Sequence, residues 1–181
     1  KTDGTPDGTT LVTNLGNVPA FSAAYVNGTL LFTAGQPATG VELWKTTPSG
    51  VALVMDINPQ LPSSSPRALT NVNGVLYFSA DDGIHGDELW KSDGTSASLV
   101  KDINPDSAAS NIASLTNLNG LLVFSAVEPT TGKELWRSDG TADGTYLLKD
   151  IRPGASGSAP NLFTAVNGAL FLGANDGVHG N

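Results

Sequence analysis

One pattern constrains this chain more than any other: it repeats itself. Glu42-Leu43-Trp44 returns as Glu88-Leu89-Trp90 and as Glu134-Leu135-Trp136, with a period of 46 residues both times. Asn-Gly returns at Asn27-Gly28, Asn73-Gly74, Asn119-Gly120 and Asn167-Gly168, at spacings of 46, 46 and 48. The last interval is longer because Thr141-Ala142-Asp143-Gly144-Thr145 stands where the preceding unit has the shorter Thr95-Ser96-Ala97-Ser98. From Asn to the following Trp the distance is seventeen residues in all three complete cases. A fixed period of this size marks an array in which one supersecondary unit is stacked on the next. The units run 1–44, 45–90, 91–136 and 137–181, and the fourth ends before its Glu-Leu-Trp would come.

Each unit reads as four short strands. A first strand over 68–72 runs into Asn73-Gly74, the strongest short-range hairpin signal, because a type I′ turn needs positive φ at both central residues. The second strand covers 75–80, matched by 29–34, 121–126 and 169–174. In it Leu76, Phe78 and Ala80 share one face, as do Leu30, Phe32 and Ala34, and Leu122, Phe124 and Ala126. The residues between them are largely apolar too, which is what a sheet buried on both faces requires. A Gly-rich turn leads to the third strand, Glu88-Leu89-Trp90-Lys91, and Asp93-Gly94-Thr95 makes the next turn. Residues 99–103 form the fourth strand, and a Pro/Ser linker begins at Asn104-Pro105. No apolar spacing of helical period and length occurs. The fold class predicted is all-β: a β-propeller, or a segment of one, built of four-stranded antiparallel blades.

Composition narrows the function classes. Charged residues are 14% of the chain, against roughly 25% in an ordinary globular protein, and 21 glycines and 11 prolines accompany them, which excludes a coiled coil or a helical bundle. Apolar runs such as Val75-Leu76-Tyr77-Phe78 are far shorter than the roughly 20 residues of a membrane-spanning helix, so no membrane insertion is expected. Seventeen acidic against nine basic residues leave a net charge of −8, which repels nucleic acid and anionic membranes. With no cysteine, disulfides, thiolate zinc sites and thiol catalysis all drop out.

The string Glu134-Leu135-Trp136-Arg137-Ser138-Asp139-Gly140-Thr141, followed by Lys149-Asp150-Ile151 and Pro153-Gly154, resembles the signature of the bacterial ELWxxDGT repeat proteins. All four units are similar to that repeat. Unit two departs at Thr47-Pro48-Ser49, where Asp-Gly-Thr is lost, and unit one at Val12-Thr13-Asn14-Leu15. The resemblance implies a large, secreted or surface-exposed bacterial protein with propeller-like arrays and no established catalytic residues. It implies partners that are proteins or glycans at the cell surface.

The two ends are expected to be those of an excerpt. Lys1-Thr2-Asp3-Gly4-Thr5 corresponds to the stretch just after a Trp, and Asn181 falls just short of the next Glu-Leu-Trp. The second strand of the fourth unit then lacks its neighbour, so its edge is expected to be covered by further chain or by self-association with another copy.

The candidate chemistry lies on the face that carries the second turn and the linker. There Asp81-Asp82-Gly83-Ile84-His85-Gly86-Asp87 is matched by Asn175-Asp176-Gly177-Val178-His179-Gly180-Asn181. Asp81, Asp82, Asp87 and Asp176 are the candidate metal ligands, with calcium the ion that such hard oxygen donors suit. The competing reading is an ordinary turn, since Asp and Gly are turn formers in their own right. His85 and His179, the two histidines, hold equivalent positions, and no motif ties an acidic or hydroxyl partner to either. They read as turn residues. Trp44, Trp90 and Trp136 are either sugar-stacking platforms or blade core, and their fixed place inside a strand favours core. Met55 also reads as core, and Asp56, Asp102 and Asp150 as caps of the following linker.

Three functions follow, in order. The first is a non-enzymatic extracellular scaffold for adhesion, surface structure or ligand display. The second is a calcium- or carbohydrate-binding module using the face of Asp81, Asp82 and His85. The third is a hydrolase on that same face.

Overall fold

The computed structural model describes residues 2–11, 22–59 and 63–180. The departure of unit one at 12–15 lies outside them, as do Lys1 and Asn181. The described residues form an all-β structure with fourteen strands and no helix. In the first sheet β1 (Ala23–Val26), β2 (Thr29–Gln36), β3 (Gly40–Thr47) and β4 (Gly50–Met55) pair in chain order. The second repeats this with β5 (Arg67–Val72), β6 (Val75–Asp81), β7 (Asp87–Ser92) and β8 (Ala97–Lys101). The third does so with β9 (Ala113–Leu118), β10 (Leu121–Glu128), β11 (Gly132–Ser138) and β12 (Tyr146–Lys149). A hairpin of β13 (Asn161–Val166) and β14 (Ala169–Gly173) makes the fourth. Every pairing is antiparallel between neighbours in sequence. The sheets form an open series.

Local sequence dictates the turns. Asn27, Asn73, Asn119 and Asn167 have φ of 47°, 51°, 52° and 50°, and the glycines after them 85°, 83°, 87° and 81°. This is the double left-handed conformation that Asn-Gly reaches at least cost, and it fixes the register of each first hairpin. The Asp-Gly-Thr turns use a different device. Oδ1 of Asp93 and of Asp139 accepts the backbone N–H and the hydroxyl of Thr95 and of Thr141, closing the turn from the side chain. Where that motif is lost, Thr47 and Gly50 face each other directly across a tighter turn, with φ 142° at Gly50.

Strand alternation sends the two apolar sets to opposite faces, and each set meets a neighbouring sheet. Leu76, Phe78, Ala80 and Trp90 pack on Leu31 and Leu43 of the first sheet and on Ile57 of the linker after it. Tyr77, Leu89, Val100 and Ile103, from the other face of the same sheet, pack on Leu122, Phe124, Ala126 and Trp136 of the third. Most of the core therefore lies between sheets, while Phe32, Ala34 and Trp44 form a further cluster within the first sheet, with Val51 and Leu53 against it. Trp44, Trp90 and Trp136 are 6%, 6% and 5% exposed, and no partner is recorded for their indole N–H groups. They serve through apolar area, with no ring face open for a sugar. Met55 departs from expectation: at 37% exposed it ends β4, the edge strand of its sheet, outside the core.

Polar stitches add to this packing. Lys45 Nζ donates to the Gly94 carbonyl of the next sheet at 2.7 Å, and Lys91 repeats the bond to Gly140 at 2.8 Å. At the opposite end the linker lies against the start of the third strand, where the Ser110 N–H donates to the Asp87 carbonyl and the Ser158 N–H to that of Lys133. A Cβ on Gly132 would stand 2.5 Å from the Ala155 carbonyl oxygen, so that approach needs glycine.

Candidate functional site

The face singled out by the sequence is built by two copies of one loop. After β6, Asp82 Oδ1 accepts the N–H groups of Ile84 and His85 at 2.9 and 2.8 Å, and Oδ2 lies 2.8 Å from His85 Nδ1. After β14, Asp176 does the same with Val178 and His179, at 2.8, 2.7 and 2.7 Å. Asp81 and Asn175, at matching positions, each accept the N–H of the glycine two residues on. Both histidines thus have the carboxylate partner that the sequence reading did not assign them. The signal was the Asp three residues before each His, and the turn that brings the pair together hid it.

These contacts set the charges. Burial pushes the Asp82 carboxyl up, but the bonds from His85 and Ile84 outweigh it and hold it below the usual range. The Asp176 carboxyl is lowered to about 2 by the backbone and ring bonds of His179. The bond to Asp82 raises the His85 imidazole. Asp87 is elsewhere, buried at the start of β7 opposite Asp81, with its Oδ2 2.7 Å from Arg67 Nη2; burial raises its carboxyl and the Arg67 charge opposes that.

Of the four candidate metal ligands, the structure brings Asp81 and Asp87 together across a strand pair, and it puts Asp176 in a different unit. Asp81, Asp82 and Asp176 each accept hydrogen bonds from their own loop, and Asp87 faces an arginine. Among the described residues no three His, Asp or Glu side chains converge in a way that could hold a metal ion. A cleft of about 310 Å³ lies at the Asp-Gly-Thr end instead, lined by Val75, Lys91, Ser92, Asp93, Ser96 and Ser98.

The residues that sequence reasoning passed over are the glutamates of Glu-Leu-Trp. Glu42, Glu88 and Glu134 have no exposed surface at all. Glu42 accepts the N–H of Ile57 and of Ser64, at 3.1 and 2.7 Å, and the Ser64 hydroxyl at 2.5 Å. Glu134 accepts the N–H groups of Ile151, Arg152 and Ser158 and the Ser158 hydroxyl, at 3.0, 3.1, 2.7 and 2.5 Å. Glu88 accepts the N–H groups of Ile103 and Asn104, at 2.9 and 3.2 Å. Each glutamate therefore pins the linker that leads to the next sheet. The linker amides expected to be capped by Asp56, Asp102 and Asp150 go to the glutamates, and Oδ1 of each Asp is buried with no partner recorded. A charged residue recurring at one buried strand position was the available clue.

Burial pushes the Glu88 carboxyl up to about 7, against the pull of the Ile103 N–H, the Ser110 hydroxyl and the Asn104 N–H, and the Asp102 charge adds to the rise. Burial also raises Glu42. A carboxyl raised on folding holds a proton that the unfolded chain has released. Its contribution to stability is fully present below the ordinary value of 4.5 and is lost as pH rises through about 7. His85, also raised, acts with the same sign. Urea unfolding is therefore expected to show stability rising from pH 7.5 to pH 5 by on the order of 2 kcal/mol. Glu88→Gln should flatten much of that slope. A flat or opposite slope in the parent chain would refute the assignment.

No protein-family model matches this chain, and no curated protein matches it. The likeness to ELWxxDGT repeats rests on the motif residues themselves.

Proposed function

We propose that this chain is part of a β-propeller that serves as a non-enzymatic extracellular scaffold, of the kind formed by bacterial ELWxxDGT repeats, for adhesion, surface structure or ligand display. One observation carries the reading: the residues that define the repeat act between sheets or within turns. Trp90 and Trp136 fill intersheet cores, Glu42 and Glu134 pin linkers, and Lys45 and Lys91 reach to the next sheet. Contacts between sheets fall chiefly on the first strands, β1 with β5, β5 with β9 and β9 with β13. That is the crowding expected where blades converge on a common axis.

The competing reading is a calcium- or glycan-binding module on the face of Asp82 and His85. Thermal unfolding with and without millimolar calcium, beside a glycan array, separates the two. A scaffold is expected to show no shift and no glycan signal. A calcium-dependent rise in Tm that Asp82→Asn and Asp176→Asn abolish would replace the scaffold reading with the binding module.

A further inference from the structure

We infer that Asn167 is a site of spontaneous covalent modification, deamidating through attack by the Gly168 backbone nitrogen, and that a hydrogen bond on the attacking nitrogen holds Asn73-Gly74 and Asn119-Gly120 against the same reaction. In this chemistry the Gly nitrogen forms a bond to the Asn Cγ and gives up its proton to hydroxide. The Cγ–Nδ2 bond breaks and the amide nitrogen leaves as ammonia. Water then opens the resulting five-membered imide at either carbonyl, giving aspartate or its isomer with the chain running through the side-chain carbon. The products carry one more negative charge than the parent, and the isomer lengthens the backbone inside a two-residue turn.

All four turns share one backbone conformation, so the turn itself does not distinguish them. Their hydrogen bonds do. One bond restrains the group under attack: Asn27 Nδ2 donates to the Gly74 carbonyl at 2.8 Å, Asn73 to that of Gly120 at 3.4 Å, and Asn119 to that of Gly168 at 3.2 Å. Each amide is thereby drawn toward the next sheet and away from its own glycine nitrogen. A second bond occupies the attacking group. The Gly74 N–H donates to Asn71 Oδ1 and the Gly120 N–H to Asn117 Oδ1, both at 2.9 Å. Asn71 is itself fixed by a 2.6 Å bond to the Tyr25 carbonyl.

The locks are unevenly distributed. Asn73-Gly74 and Asn119-Gly120 have both. Asn27-Gly28 has only the first, because Tyr25 stands where the later units have Asn71 and Asn117. Asn167-Gly168 lacks the second, because Ala165 occupies that place. Asn167 and Gly168 are both exposed. Asn167 and Asn27 are expected to react before Asn73 and Asn119.

The test is peptide mapping by mass spectrometry after incubation of the 181-residue chain in mildly alkaline buffer at physiological temperature. Asn167 is expected to convert roughly fivefold faster than Asn73, the worth of one ordinary hydrogen bond. Ala165→Asn, at an exposed position, should slow Asn167, and Asn71→Ala should speed Asn73. In urea the four rates should converge. Equal rates in the folded chain, an order that persists in urea, or an Asn167 rate unmoved by Ala165→Asn would each overturn the inference.

Discussion

Replacing Trp90 with alanine is expected to lower the unfolding free energy by about 3–5 kcal/mol, the usual cost of truncating a large buried aromatic. That is a large share of the roughly 5–15 kcal/mol that keeps an ordinary domain folded. The loss falls between sheets: Trp90 belongs to β7, yet its cluster includes Val26, Leu31 and Leu43 from the first sheet and Ile57 from the linker after it. In a linear array, where each unit touches only its neighbours, such a loss weakens one interface and leaves the others intact. Chemical unfolding followed by circular dichroism should show the first sheet separating as its own transition, and hydrogen exchange should locate the change in β1 to β4. A variant that keeps parent stability and loses sugar binding instead would return Trp90 to the binding residues.

Glu134→Ala is expected to cost as much, through a different mechanism. The N–H groups of Ile151 and Arg152 and the Ser158 hydroxyl lose their acceptor, while the Ser158 N–H keeps the Lys133 carbonyl; Glu134 itself has no exposed surface. Buried donors left unpaired cost about 1–3 kcal/mol each, less where water reaches them, so a total on the order of 4 kcal/mol is expected. Glu134→Gln keeps one carbonyl acceptor but turns an N–H₂ toward donors, and should fall between alanine and the parent. Amide exchange of Ile151 and Arg152 should accelerate far more than that of Leu122 in the sheet core. Unchanged protection at Ile151 and Arg152 would show that the linker holds without its carboxylate.

The sequence alone determined the period, the four strands in each complete sheet, the Asn-Gly and Asp-Gly-Thr turns and the burial of the tryptophans. All of these depend on a residue and its near neighbours: left-handed φ at Asn-Gly, a side-chain bond within Asp93-Gly94-Thr95, alternation along a strand. Tertiary structure decided the rest. Glu42, Glu88 and Glu134 find their partners 15 to 24 residues away, and Lys45 reaches Gly94 across 49. Which donor meets which carboxylate depends on how the linker folds back along its sheet, and no local preference encodes that path. The same reason explains Asp102, whose expected linker amides were taken by Glu88, and Met55, which ends an edge strand outside the core. A repeat dictates that its units look alike. What each buried charge is for follows only once the sheets are stacked, because an acceptor without surface is defined by the donors that packing places around it.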